Sequence, residues 1–273
     1  MRLSGIRAVT LDFGNTLVPV DRAALRAVVT RTADEVCAAL AIADPSTFLL
    51  AWAEERDRQF REEVPRFREV DLPQRSVRVL ARLRGAPVPS GSASWNDDAA
   101  AAWSTGDEID LIVDAYSAAF VATVPAPSAS GAMIHGLARR GFHVAILSNW
   151  PLAATIDRFA EAAGWMPSLA GIFVSQRIGT IKPHPAIFAH VQAELAVEPS
   201  AILHVGDDWL ADVSGAKDAG WRAAYLVGHQ ADTPLPTSAR TADIRADLEL
   251  EALAMLGDHL EDPPPARPAH PTA

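Results

Sequence analysis

The chain is poor in cysteine and lysine and has no long apolar run, and each shortage excludes something. A single cysteine, Cys37, among 273 residues rules out an intrachain disulfide and fits a reducing compartment. No apolar run reaches 18 residues, so no segment reads as a membrane span. Met1 to Gly5 lacks the apolar stretch of a secretion signal. The expectation is a cytoplasmic chain with no membrane partner. Lysine occurs twice, at Lys182 and Lys217, against 22 arginines. In so lysine-poor a chain, a lysine at position 182 carries more information than usual. Acidic residues outnumber basic ones 34 to 24, giving a net charge of -10 and a pI near 5.2. That balance argues against nucleic acid as a partner. What the chain does have is apolar content, at 49%. This suffices for one large domain or two modest ones.

Two textures follow one another. Ala8 to Asp12 reads as one short buried strand. From Asp21 to about Phe120 the pattern is helical, with Leu25, Val28, Val29, Val36 and Leu40 at helical spacing. Asp44-Pro45 opens a second helix carrying Phe48, Leu49, Trp52 and Phe60. Val77, Leu80 and Leu83 mark a third, stopped by Gly85-Ala86-Pro87. Gly91 to Asp97 reads as a loop, and Ile109 to Phe120 as the last helix of the stretch. After Pro125-Ala126-Pro127, strands and helices alternate through His143–Leu147, Leu152–Ala162, Ile172–Val174, Ala186–Leu195, Ile202–Val205, Val213–Ala219 and Ala223–Val227. Such alternation implies a parallel sheet. The expected organisation is an α/β core from residues 1–17 and 125–256, a helical insert over 18–124, and a disordered proline-rich tail over 257–273.

The chemistry gathers where strands end. Asp12 follows an apolar strand and precedes a flexible turn, Phe13-Gly14-Asn15-Thr16, which is where open α/β sheets bind ligands. An ionised aspartate there can act as a nucleophile, although the same residue type also serves as a turn or helix cap. Lys182, in Ile181-Lys182-Pro183, can keep Asp12 ionised and offset charge on a phosphoryl group. Pro183 and Pro185 stiffen that loop around His184, which reads as a helix cap. Ser148 ends a strand before Asn149, so its hydroxyl can grip a phosphate or cap a helix. Asp207, Asp208 and Asp212 place three carboxylates within six residues, unfavourable without a cation. Oxygen-only ligands of this kind suit Mg²⁺. His204 reads as a core histidine.

In this order and spacing the four segments resemble the haloacid dehalogenase superfamily, over about 1–20 and 125–256. Asp12 with Thr16 is similar to its first motif, Ser148 to the second, Lys182 to the third, and Gly206-Asp207-Asp208 with Asp212 to the fourth. The resemblance implies a Rossmann-like parallel-sheet core with an inserted all-helical cap. It implies Asp12 as nucleophile, with Ser148 and Lys182 catalytic, and Thr16 and Asn149 substrate-binding. Mg²⁺ would be held by Asp12, the Gly14 carbonyl and Asp207, with Asp208 and Asp212 as inner or outer support.

Gly14 departs from the pattern. Phosphatases of the family carry there a second aspartate that protonates the leaving group, help worth about 10²–10⁴-fold. Three readings therefore stand. The first is a Mg²⁺-dependent phosphohydrolase for a small phosphorylated molecule. The second is a 2-haloacid dehalogenase-type enzyme, and the third a non-catalytic binding protein. The acidic fourth motif favours phosphoryl chemistry.

Overall fold

The computed structural model describes residues 2–228 and 232–263. Strands β1 (Ala8–Leu11), β2 (His143–Ser148), β3 (Gly171–Val174), β4 (Ile202–Gly206), β5 (Arg222–Leu226) and β6 (Leu248–Leu250) form one parallel sheet, ordered β3-β2-β1-β4-β5-β6. Every residue of β1 and β4 is buried, as expected for strands covered by helices on both faces. Their polar exceptions, Thr10 and His204, are register partners, and Thr10 Oγ1 lies 2.9 Å from His204 Nδ1. The chain extends the sheet from β1 through β2 on one side and through β4 on the other. The carboxyl ends of β1 and β4 thus flank the point where strand order reverses, the ligand crevice of such sheets.

Five helices intervene between β1 and the helix that precedes β2. They are α1 (Arg22–Ala39), α2 (Pro45–Glu63), α3 (Leu72–Leu83), α4 (Asp97–Ala101) and α5 (Gly106–Thr123). Their starts are written locally. Asp21, Asp44 and Asp71 accept backbone N–H groups from Ala24, Ser46 and Gln74. Thr105 and Glu108 close a reciprocal capping box. Each such cap contributes about 1 kcal/mol. Helix α4 went unread in the sequence because five residues give no periodicity to detect.

Helices α6 (Ser128–Arg139), α7 (Ala153–Ala162), α8 (Ser175–Ile178) and α9 (Pro185–Leu195) alternate with the strands. A π-helical turn, Trp209–Ser214, runs into α10 (Gly215–Asp218) after β4. The inserted helices and the sheet share one apolar cluster. At its centre Phe13 meets Trp150 and Phe159 edge-on, each 5.3 Å between ring centroids. That aromatic knot anchors the residue next to Asp12. Among the described residues, no single helix is long and apolar enough to cross a membrane.

The chain after β5 corrects one expectation. Residues 257–263 do not begin a disordered tail. Leu253–His259 is a 3₁₀ helix, and Leu256 and Leu260 are buried. Leu3 donates to His259 and accepts from Glu261, while Arg140 donates to the carbonyls of Gly257 and Leu260. The proline count misled because those apolar residues precede all five prolines of the segment. Residues 264–273 of the expected tail lie outside the described residues.

Candidate active site

Asp12 stands immediately past β1, its N–H held by the carbonyl of Val205 at 2.9 Å. The turn beyond it folds back sharply: the N–H groups of Leu17 and Val18 both donate to the Phe13 carbonyl. Asn15 takes the left-handed conformation, φ 58°, which asparagine tolerates better than most residues. Its side chain accepts from Val20 N–H and donates to Thr233.

Lys182 is the centre of the arrangement. Its Nζ donates to Asp12 Oδ1 at 2.8 Å, to Asp212 Oδ1 at 2.6 Å and to the Leu147 carbonyl at 3.0 Å. The lysine is 2% exposed. Asn149 fixes its backbone from both sides, accepting from Lys182 N–H at 2.8 Å and donating to its carbonyl at 3.0 Å. His204 Nε2 lies 3.1 Å from Asp212 Oδ1, and Asp212 Oδ2 accepts the Asp208 N–H at 2.9 Å. Asp207 Oδ1 accepts the Thr16 hydroxyl at 3.1 Å.

These charges perturb one another. Burial pushes Asp12 up to about 6, although Lys182 and the Ser148 hydroxyl pull the other way. Burial, then the charges of Asp12 and Asp212, push Asp207 up to about 8. Burial would also raise Asp212, but Lys182 and His204 outweigh it and hold the carboxyl well below the usual range. Lys182 is driven above the ordinary lysine value by Asp12 and Asp212 despite its burial. One buried ammonium thus serves two carboxylates, and Asp207 is left without a cation of its own.

The donor set fits a divalent cation. Asp12, Asp207 and Asp212 each present an oxygen, all within 4.8 Å of one another. Asp212 has both oxygens engaged by protein donors, whereas Asp207 has a hydrogen bond only to Oδ1 among the described residues. Of the three, Asp212 is the one most taken up by protein donors, bracing Lys182 and the Asp208 N–H.

Four residues take parts the sequence did not assign them. Asp208 does not join the cluster: its Oδ1 accepts Ala211 N–H at 2.7 Å and the Ser238 hydroxyl at 2.7 Å, capping the π-helical turn. Thr16 is buried and orients Asp207 instead of lining the cavity over Asp12. Asn149 lines that cavity, but its amide is used on Lys182. His204, read as a core histidine, braces Asp212. The signal was present, since a polar residue opposite Thr10 in two otherwise apolar strands requires a partner.

A cavity of about 1120 Å³ opens over Asp12, Ser148 and Lys182. Its far wall comes from the inserted helices, through Leu25, Leu49, Trp52 and Tyr116. Leu235, from the segment after β5, closes a side. The segment 67–72 is tied to the core beside the loops that carry Ser148 and Lys182: Ile181 N–H donates to the Phe67 carbonyl, Leu72 N–H to the Pro151 carbonyl, and the Ser175 hydroxyl to Glu69. These ties bring Glu69 and Arg75 to the cavity. The arginine-rich stretch from Arg56 to Arg84 suggests that one or two of its arginines could reach an anionic substrate, but nothing in the sequence singles out Arg75 or Glu69.

The sequence pattern of the haloacid dehalogenase-like hydrolase family matches residues 6–220, and the chain belongs to that family. Among curated relatives, haloacid dehalogenase-like hydrolase domain-containing protein 3 of Mus musculus is 27% identical over 107 residues, 39% of this chain and 41% of that protein. The Homo sapiens protein is 29% identical over 96 residues, 35% and 38% of the two chains. These matches thus span about two fifths of the relatives' length. Among solved structures, the 2-haloacid dehalogenase of Pseudomonas syringae pv. Tomato DC3000 superposes with a TM-score of 0.61 at 21% identity, covering 93% of this chain and 97% of that one. A HAD phosphatase from Thermococcus onnurineus gives 0.54 at 17%, covering 93% and 97%. At such identities the likeness is one of fold.

Proposed function

We propose that the chain is a Mg²⁺-dependent phosphohydrolase acting on a small phosphorylated molecule in the cytoplasm, with 18–124 as its cap and 1–17 and 125–256 as its core. The observation that carries this reading is Asp207. A buried carboxylate facing two others is a standing cost unless a cation offsets it, and an alkyl-transfer reaction at Asp12 has no use for it.

An Asp12 oxygen attacks phosphorus, the bond from phosphorus to the leaving oxygen breaks, and an aspartyl-phosphate forms. Water then attacks the same phosphorus and returns Asp12 as a carboxylate. Lys182 keeps Asp12 ionised and faces the charge that builds on the phosphoryl oxygens, while Ser148 donates a hydrogen bond beside it. Bound Mg²⁺ would supply further charge neutralisation at the phosphoryl group. The test is a phosphatase screen with and without Mg²⁺, run beside a 2-haloacid assay. Halide release without metal, and no phosphate release, would reverse the assignment.

That second reading has one observation in its favour, the missing carboxylate at position 14. Gly14 does not have positive φ, so the backbone would accept a side chain. Space is the obstacle, since a Cβ there would come within 2.5 Å of Leu235 Cδ1 and 3.3 Å of Trp150 Cζ3. Leu235 thus occupies the room an acid would need. Under the phosphohydrolase reading, the wild type should prefer aryl and acyl phosphates, whose leaving groups need little protonation, over alkyl ones. Gly14→Asp combined with Leu235→Ala should raise kcat on alkyl phosphates by ~10-fold or more, within the range of general-acid help, and change aryl rates little. A folded double variant with unchanged leaving-group dependence would show that another group already protonates the leaving oxygen.

The crowded carboxylates also set a pH dependence without metal. A carboxyl raised on folding contributes stability that is fully present below its unfolded value and lost as pH climbs through its folded one. For Asp12 and Asp207 the windows run from 3.8 to about 6 and from 3.8 to about 8. Asp212, held low, titrates below both. The metal-free wild type should therefore lose several degrees of Tm between about pH 4 and about pH 8, at ~2–4 °C per kcal/mol. Asp207→Ala should flatten the upper part of that slope, leave the metal-free Tm at pH 8 unchanged or higher, and weaken Mg²⁺ binding by calorimetry. A steeper slope in the variant would contradict the crowding argument.

A further inference from the structure

Arg75 is the buried cation that the chemistry at Asp12 does not use. It lies on α3, is 4% exposed, and lines the cavity that holds Asp12 and Lys182. Its Nε donates to Gln59 Oε1 at 3.0 Å, and its guanidinium carbon sits 5.2 Å from the Trp52 ring centroid. Its Nη1 and Nη2 have no partner among the described residues, and it forms no ion pair there.

The contrast lies one turn along the same helix. Arg78 is 2% exposed and pairs with both Glu62 and Asp97. Arg58, Arg82 and Arg84, also from the inserted helices, each have a carboxylate partner as well. Arg78, the other buried arginine among the described residues, is thus given two acids where Arg75 is given none. Burying an unpaired guanidinium is costly, and burial does depress Arg75, to about 10. Glu69 and Asp71 are near enough to oppose that shift, but each carboxylate is committed to Ser175, Gln176 or nearby backbone. Gln59 and Trp52 instead hold the guanidinium plane still. Gln59 is itself locked by donating to the Asp71 carbonyl and to Gln74. A fork held in one plane, with its two outer nitrogens unspent, is built for a bidentate oxyanion.

The wall beside it is apolar, the cavity's other arginines, Arg22, Arg26, Arg56 and Arg61, are all exposed, and the space is far larger than a phosphate requires. Trp52 stacks on Tyr116 with ring centroids 6.1 Å apart, and Leu25 and Leu49 extend that wall. Tyr116 makes no side-chain hydrogen bond among the described residues, so its hydroxyl is a second available donor. An apolar wall with fixed polar groups at its ends selects a ligand by where its polar ends fall.

We propose that the substrate carries a second oxyanion, a carboxylate or a second phosphate, remote from the group that reacts at Asp12, and that Arg75 Nη1 and Nη2 receive it. An apolar body joins the two ends along the Trp52 and Tyr116 wall. This deepens the phosphohydrolase reading by naming a substrate class, and it rests on that reading for what happens at Asp12.

Calorimetry with probes that cannot turn over tests it. In the presence of Mg²⁺, 4-carboxybenzylphosphonate and 1,4-xylylenebisphosphonate are compared with 4-carbamoylbenzylphosphonate and benzylphosphonate. At least one doubly anionic probe should bind ~10-fold or more tightly than the neutral-ended pair, as expected for a charge-assisted bidentate contact. The tighter of the two names the oxyanion. Arg75→Met should erase the difference while leaving benzylphosphonate affinity in place, and Arg75→Lys should restore only part of it. Equal affinities in the wild type overturn the proposal without any variant being made. So does a preference that survives in folded Arg75→Met. A separate arm isolates the reading beneath it. If no phosphonate binds but 3-phenylpropionate binds in an Arg75-dependent way, phosphoryl chemistry fails and the Arg75 site stands. If that carboxylate fails as well, both fall.

Discussion

Asp12→Asn removes turnover on every substrate the wild type accepts, by about 10⁴-fold or more, the scale on which loss of a covalent nucleophile is felt. The amide keeps the size of the side chain but cannot open the new bond to phosphorus or carbon. Either hydrolytic reading needs that attack, so this loss is common to both. What makes the variant informative is its stability. Asp12 is buried, and its carboxyl is raised to about 6, so the charge is a strain on the fold and not a support. Lys182 retains Asp212 and the Leu147 carbonyl as acceptors, and Asp207 loses a like-charged neighbour. Tm should hold at pH 8 without metal, or rise. Turnover near the wild-type rate in folded Asp12→Asn would dismiss the nucleophile for any substrate. Loss of turnover accompanied by unfolding would show that Asp12 is instead part of the scaffold.

The parts of this site legible in the sequence are those written into local pattern. Asp12, Ser148 and Asp207 each follow an apolar strand, and strand ends are recognisable from a handful of residues. Lys182 stood out because the chain has one other lysine. The Asp44-Pro45 start of one inserted helix was equally local. What stayed hidden depends on pairing across long sequence separations. Leu235 fills the space beside Gly14 from 221 residues away (235 less 14), and nothing near either residue hints at the other. Asp208 carries the same charge as Asp207, and only the turn geometry decides that one caps a helix while the other faces Asp12. Arg75 is one of 22 arginines, distinguished by being buried without an acidic partner among the described residues. Strand β6, three residues long, is too short for period-two alternation to register.

Lys182→Met should produce the largest loss of stability of any single change in the site, and should abolish turnover as well. The lysine is the shared counter-ion of Asp12 and Asp212, all within the sheet's carboxyl edge. Removing one partner of a buried ion pair leaves uncompensated charge, at about 3–5 kcal/mol. At ~2–4 °C per kcal/mol, Tm near pH 8 should fall by roughly 10 °C. Two further measurements separate this cause from simple loss of packing, which the unbranched methionine largely preserves. The deficit should shrink toward pH 5, because carboxylates that have lost their cation take up protons more readily in the folded state than in the unfolded one. That sign makes the variant gain stability as pH falls through their raised folded values. Adding Asp212→Asn to Lys182→Met should recover part of the lost Tm near pH 8 without recovering activity, since Lys182 would still be missing from the phosphoryl group. A deficit independent of pH, and untouched by Asp212→Asn, would mean that the lysine stem and not its charge holds the strand ends together. In that case the crowding of Asp12, Asp207 and Asp212 would no longer explain why the site should take a cation.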